Sequence, residues 1–242
     1  MKKFEYTPPE QPRELILKLG QKITDRIGHT VTAEDPEYYG LEALVTDEMA
    51  EVALKMKVRK PMTLAQAVKA TGKEEKVLEE LLQEMSNIGL LEYNWENPKH
   101  EKQYVLPMYV PGSAEFFNMK LDQIKEHPEV ASFFERMAFL PLQKVTPMVP
   151  PGGAGIGMHV IPVEKAIETE NESVSVEHIS HWLDKYDGKY AAGPCSCRYS
   201  RGVLGEGCAD DPEDWCIGVG DMADYLVETN KGHYITREKV ME

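Results

Sequence analysis

Thr63-Leu64-Ala65-Gln66-Ala67-Val68-Lys69-Ala70-Thr71-Gly72-Lys73-Glu74-Glu75-Lys76-Val77-Leu78-Glu79-Glu80-Leu81-Leu82-Gln83-Glu84-Met85-Ser86-Asn87-Ile88-Gly89 carries two helix-start signals in close succession. Thr63 with Gln66, and Thr71 with Glu74, both have the spacing of a capping box, in which hydroxyl and side chain satisfy each other's backbone amides. The first start predicts a short helix with Leu64, Ala67 and Val68 inward, stopping near Ala70. The second predicts a longer helix that buries Val77, Leu78, Leu81, Leu82, Met85 and Ile88 on one face and ends at Gly89. The tight turn between them is a helix-turn-helix signal.

The flanks complete the pattern. Upstream, Thr46 reads as an N-cap with Asp47 and Glu48 in the favourable first turn, followed by Met49, Val52, Ala53 and Met56 at helical spacing. Downstream, Leu91, Tyr93 and Trp95 alternate, Asn97-Pro98 marks a turn, and Tyr104 and Leu106 alternate again, as in a β-hairpin. Three helices and a hairpin predict a winged helix-turn-helix.

Farther out, Arg13 to Ile27 has helical spacing with Gly28 as its stop, and Asp35-Pro36 and Gly40 read as loop. Ser113 reads as the cap of a helix carrying Phe117, Leu121 and Ile124, and Pro128 opens another with Phe133, Phe134 and Met137. Proline and glycine dominate from Leu140 to Pro162, the expected domain boundary, and Met158–Val163 reads as a strand. Ser175 to Tyr186 reads as a helix with Val176, Ile179, Trp182, Leu183 and Tyr186 inward. Near the end, Asp221 is expected to cap a helix that Gly232 closes, Tyr234-Ile235 is extended, and Thr236 caps a helix with under two turns of sequence left. So short a helix is marginal alone, which suggests a fragment of a longer polypeptide. The expected class is α+β, mainly helical, in three parts: an N-terminal helical arm (1–45), a winged-helix domain with appended helices (46–140), and a small cysteine-rich metal-binding domain (141–242).

The 242 residues carry a net charge of −14. Such a chain repels polyanions on average, which counts against nucleic acid and anionic membranes as partners. The Lys73–Ile88 helix repeats the argument locally: Lys73 and Lys76 face Glu74, Glu75, Glu79, Glu80 and Glu84, a net of −3. A major-groove reader needs surplus positive charge, so a winged helix used for protein contact is expected. No apolar run is long enough for a membrane span and no secretory signal is visible, so a cytoplasmic location is the default. Reducing conditions there disfavour disulfides.

The cysteines therefore need another explanation. All four lie in Cys195-Ser196-Cys197-Arg198, Cys208 and Cys216, a C-x-C-x10-C-x7-C pattern. Clustered soft thiolates suit zinc or an iron–sulfur cluster, and Gly193-Pro194, Gly202, Gly205 and Gly207 supply loops whose amides can face sulfur. The lack of C-x2-C knuckles tilts the reading towards iron–sulfur. Asp211-Pro212 reads as a helix start that places Cys216 on a helical turn. Other motifs carry less. Gly152–Gly157 lacks the strand–loop–helix setting of a phosphate loop, and His178 and His181 supply too few ligands for a metal. No catalytic residue set stands out.

The segments Tyr104–Pro107, Val160–Ile167, Cys195-x-Cys197-Arg198, Gly207-Cys208 and Trp215–Gly220 resemble an N-terminal region of anaerobic bacterial and archaeal iron–sulfur proteins. Similar segments there precede ferredoxin-like 4Fe-4S modules, and some belong to multidomain FAD-dependent pyridine nucleotide-disulfide oxidoreductases. The resemblance covers most of 46–242 and implies a [4Fe-4S] cluster on Cys195, Cys197, Cys208 and Cys216. The ferredoxin and flavin modules are missing from this chain. The expected function is thus an electron-transfer or structural iron–sulfur module of a larger oxidoreductase, without bond chemistry of its own and with ferredoxin-like or flavoprotein partners. A metal- or redox-sensing winged-helix regulator and a zinc-stabilised interaction module are the alternatives.

Overall fold

The computed structural model describes residues 6–132, 178–186, 188–205 and 216–242. It is an α+β fold whose described strands form two three-stranded antiparallel sheets. Among the described residues, no helix is long and apolar enough to cross a membrane. The expected strand at 158–163, the glycine-rich segment 152–157, the start of the 175–186 helix and Phe133, Phe134 and Met137 lie outside them.

Helix α1 (Glu14–Ile23) buries Ile16, Leu19 and Ile23. It ends at Thr24, well short of Gly28, because the next turn is tied sideways. The Thr24 hydroxyl donates to Glu37 at 2.6 Å, and the Arg26 guanidinium spans Glu37 and Asp35. Ile27 is left fully exposed. Asp35-Pro36 begins helix α2 (Pro36–Leu44) instead of a loop, with proline at the position where a missing amide costs nothing. Gly40 lies inside that helix. A Cβ there would stand 2.1 Å from the Tyr109 hydroxyl, which donates to the Pro36 carbonyl.

Helices α3 (Asp47–Lys55), α4 (Leu64–Thr71) and α5 (Glu75–Ile88) follow. Thr46 caps α3 and the Thr63–Gln66 capping box is present in both directions. The second box is not. Thr71 ends α4 with its hydroxyl on the Ala67 carbonyl, Gly72 turns left-handed, and Glu74 caps α5 by accepting from the Lys76 amide. Leu78, Leu81, Leu82 and Met85 form the buried stripe, and Val77 stands 49% exposed, about 100° round the helix from Leu78. Gly89 closes α5 in the left-handed region, as expected.

Strands β1 (Met62–Thr63), β2 (Glu92–Asn94) and β3 (Gln103–Val105) pair in the order β1-β3-β2, with Tyr104 opposite both Met62 and Tyr93. The expected single helix after Ser113 is two, α6 (Ser113–Phe117) and α7 (Leu121–Glu126). The Asn118 amide breaks it by donating to the Ala114 and Val130 carbonyls. Gly112, not Ser113, is the N-cap. Helix α8 starts at Pro128 and is described over 128–132.

The remaining elements are α9 (Ile179–Lys185), β4 (Tyr190–Gly193), α10 (Ser196–Val203), β5 (Cys216–Val219), α11 (Asp221–Glu228), β6 (His233–Ile235) and α12 (Arg237–Met241). The second sheet has the order β5-β4-β6. Asp221 is not the cap of α11. Gly220 is, and the Asp221 carboxylate accepts from the Trp95 amide at 2.7 Å. The turn after α11 is made by Asn230, at φ 56°, before Gly232 is reached. Thr236 caps α12 as expected.

One buried cluster joins these parts, running from Ile16 and Leu82 to Tyr199, Tyr225 and Leu226. The Tyr225 ring meets Tyr93 and Phe116 edge-on at 5.1 and 5.0 Å, and its hydroxyl donates to the Leu91 carbonyl. Tyr93 donates in turn to Glu228 at 2.7 Å. Helix α11 is thereby seated on the first sheet.

Candidate functional site

Strand β4 ends at Gly193, and Pro194 leads to Cys195 at the N-cap of α10. The antiparallel register places Cys216 opposite Gly193. Sheet pairing thus brings Cys216 back to the start of α10. It does so from a strand, because Cys216 is the first residue of β5 and not part of a helical turn.

Cys195, Cys197 and Cys216 are free thiols that meet here. The Cys195 thiol stands close enough to Cys197 and Cys216 for each to act on the others' ionisation, and the Arg198 amide donates to the Cys195 carbonyl at 3.0 Å. These neighbours draw the Cys195 thiol down, while Cys195 and burial push Cys197 and Cys216 up. The start of α10, where the peptide dipole favours negative charge, lies at the same place.

Of the four expected ligands, the structure brings together these three, and Cys208 lies outside the described residues. Among the described residues, no group of three or more His, Cys, Asp or Glu side chains is arranged to hold a metal ion. As donors the three thiols suit a soft metal. His178 and His181 are elsewhere: His178 precedes α9, and His181 stands edge-on to Trp182 at 5.5 Å.

A cleft of about 370 Å³ opens beside the thiols, with Ser196 and Cys216 in its wall. Its charged lining is Arg59, Glu92 and Glu115. Burial raises both carboxyls above the usual range, and Arg59 partly offsets this. Sequence reasoning missed these residues. They come from the loop before β1, from β2 and from α6, and no spacing links them. A second cleft, of about 490 Å³, is lined by Lys120, Gly193, Tyr199, Lys231 and His233. There burial lowers the Lys231 amine to about 6, helped by repulsion from Lys120.

No family model matches the chain, and neither a curated protein nor a solved structure matches it.

Proposed function

We propose that the chain is an iron–sulfur module of a larger cytoplasmic oxidoreductase, with Cys195, Cys197, Cys208 and Cys216 holding a [4Fe-4S] cluster for electron transfer or structural support. The observation that carries this reading is the meeting of three thiols from the start of α10 and the start of β5, which the antiparallel β4–β5 register brings together. A bound cluster supplies one-electron transfer. The chain's own residues would supply the ligands and the surface for a partner. Cys197 is the exposed thiol of the three, so a ferredoxin-like or flavoprotein partner approaches most closely on its side.

The winged-helix reading of 46–107 is part of the proposal. It is supported by the succession α3, α4 and α5 with a sheet in which β2 and β3 form an antiparallel hairpin. Exposed Glu75, Glu79, Glu80 and Glu84 on α5 favour protein contact over DNA, against the regulator alternative. That alternative requires salt-dependent nanomolar binding to a specific duplex. The module reading gives no binding tighter than the ~10⁻⁴–10⁻⁶ M of non-specific contact.

One observation favours zinc as a second reading. Cys195 and Cys197 flank Ser196 at the start of α10, and Cys216 lies opposite Gly193 at the start of β5. A single tetrahedral ion gathers its thiolates to roughly 3.8 Å apart for bonds of ~2.3 Å, whereas a cubane spreads them over different irons. Anaerobic purification with metal analysis decides between the two. Brown protein with about four irons per chain supports the cluster, with Cys208→Ala losing the colour. Colourless protein with one zinc per chain overturns it.

A further inference from the structure

The cleft beside Cys216 has a charge pattern that the thiol site does not use. Glu115 sits on α6, where one carboxyl oxygen takes the Gly112 amide at 2.7 Å. Glu92 comes from β2 and engages no hydrogen-bond donor through its side chain among the described residues. Arg59 reaches the Pro111 carbonyl at 2.8 Å, in a left-handed backbone conformation at φ 59°. None of the three forms an ion pair within the described residues. The charged lining is two carboxyls against one guanidinium, and Phe116, Met119 and Met222 add an apolar wall. At about 370 Å³ the space has the volume of a small-molecule pocket.

We propose that this cleft binds a small organic amine, with its ammonium on the Glu92 and Glu115 side and its apolar body against Phe116, Met119 and Met222. Two half-buried carboxyls that share one guanidinium leave one charge uncompensated, which is costly to bury. An ammonium removes that cost and gains charge-assisted hydrogen bonds. Methionine and aromatic side chains accept apolar shapes with little selectivity, so the charge, more than the outline, sets the ligand class. Arg59 acts on both carboxyls and offsets part of their charge. The excess of carboxyl over guanidinium decides the sign. The inference is independent of which metal the thiols hold.

The test is a calorimetric titration of the full chain, as isolated, with 2-phenylethylamine and with 2-phenylethanol, which has the same shape and no charge. The amine should bind saturably and the alcohol at least ~10-fold more weakly, the loss expected when a charge-assisted bond is removed. Glu115→Gln and Glu92→Gln should each weaken the amine by a similar factor, and Arg59→Gln should tighten it. The alcohol comparison on the unaltered chain keeps the test valid if a glutamine variant fails to fold. Equal affinity for amine and alcohol, no saturable amine binding, or full affinity in both folded glutamine variants overturns the proposal.

Discussion

The Lys231 side chain donates to the carbonyl oxygen of Ser86 at 2.9 Å, across 145 residues of chain. It also reaches the Asn87 carbonyl at 3.0 Å, and Lys120 reaches the same oxygen at 3.2 Å. These carbonyls belong to the last turn of α5, where internal donors run short; Ser86 also accepts from the Gly89 amide and the Tyr225 hydroxyl. The segment that supplies Lys231 is held tightly against β4. A Cβ on Gly193 would stand 2.3 Å from the Lys231 carbonyl oxygen, and one on Gly232 would stand 2.4 Å from that of Ala192. Cys195 follows Gly193 by two residues. The end of α5 and the start of the thiol loop are therefore joined through one buried lysine.

Replacing that lysine tests the junction. Lys231→Met keeps an unbranched stem of similar length in the core and removes one donor from each of two carbonyls, leaving Ser86 the Gly89 amide and the Tyr225 hydroxyl and Asn87 the Lys120 amine. The expected loss is about 1–3 kcal/mol, that of two hydrogen bonds. Urea unfolding followed by circular dichroism measures it. A loss under ~0.5 kcal/mol, the range of an ordinary surface substitution, means the lysine is not the clamp.

A second junction is pH-dependent. Asp35 accepts from the Thr32 amide and hydroxyl and from Arg26, and lies 2.9 Å from the His29 ring. Although burial raises its carboxyl, these partners together win and hold it down to about 2, from a usual 3.8. A carboxyl lower in the folded than in the unfolded chain gives stability that is full above the unfolded value. That stability is lost as pH falls through the folded one. The window is therefore pH 4 to 2, and its size is about 2 kcal/mol. Urea midpoints at pH 6, 4 and 2 should fall more steeply for the unaltered chain than for Asp35→Asn. Parallel curves for the two proteins over that window count against the role given to Asp35.

What the sequence made legible is local. Thr46, Thr63, Gly89 and Thr236 act as read, because caps and stops depend on neighbours a few residues away. Errors arise where a distant partner decides. The Thr71 box gives way to a left-handed Gly72, and α1 stops early because Arg26 finds Glu37 and Asp35. Gly40 looked like a loop residue and is a helical one, kept small by Tyr109. The candidate site divides in the same way. Cysteine spacing pointed to the thiols, but the strand that delivers Cys216 depends on pairing with β4. Glu92, Glu115 and Arg59 carry no motif, since only packing of α6 and the thiol loop against the first sheet brings them to one cleft.

Metal removal gives the last prediction. The three described thiols sit where β4, α10 and β5 converge, so whatever they hold ties three elements together. Cys197 and Cys216 are the strongest influences on the Cys195 thiol, which makes it the hub of the set. A ligand bound only by the folded state stabilises by about 4 kcal/mol at a thousandfold excess over its dissociation constant, and in a chain of this size that is on the order of 10 °C in melting temperature. Stripping the anaerobically loaded chain with a chelator should lower its melting temperature by that order. Cys195→Ala should start near the lower value and show no response to the chelator. His181→Ala, whose ring stands edge-on to Trp182, should respond like the unaltered chain. If chelation leaves the melting temperature of the loaded chain unchanged, or if Cys195→Ala keeps its metal, the thiols do not form the centre assigned to them.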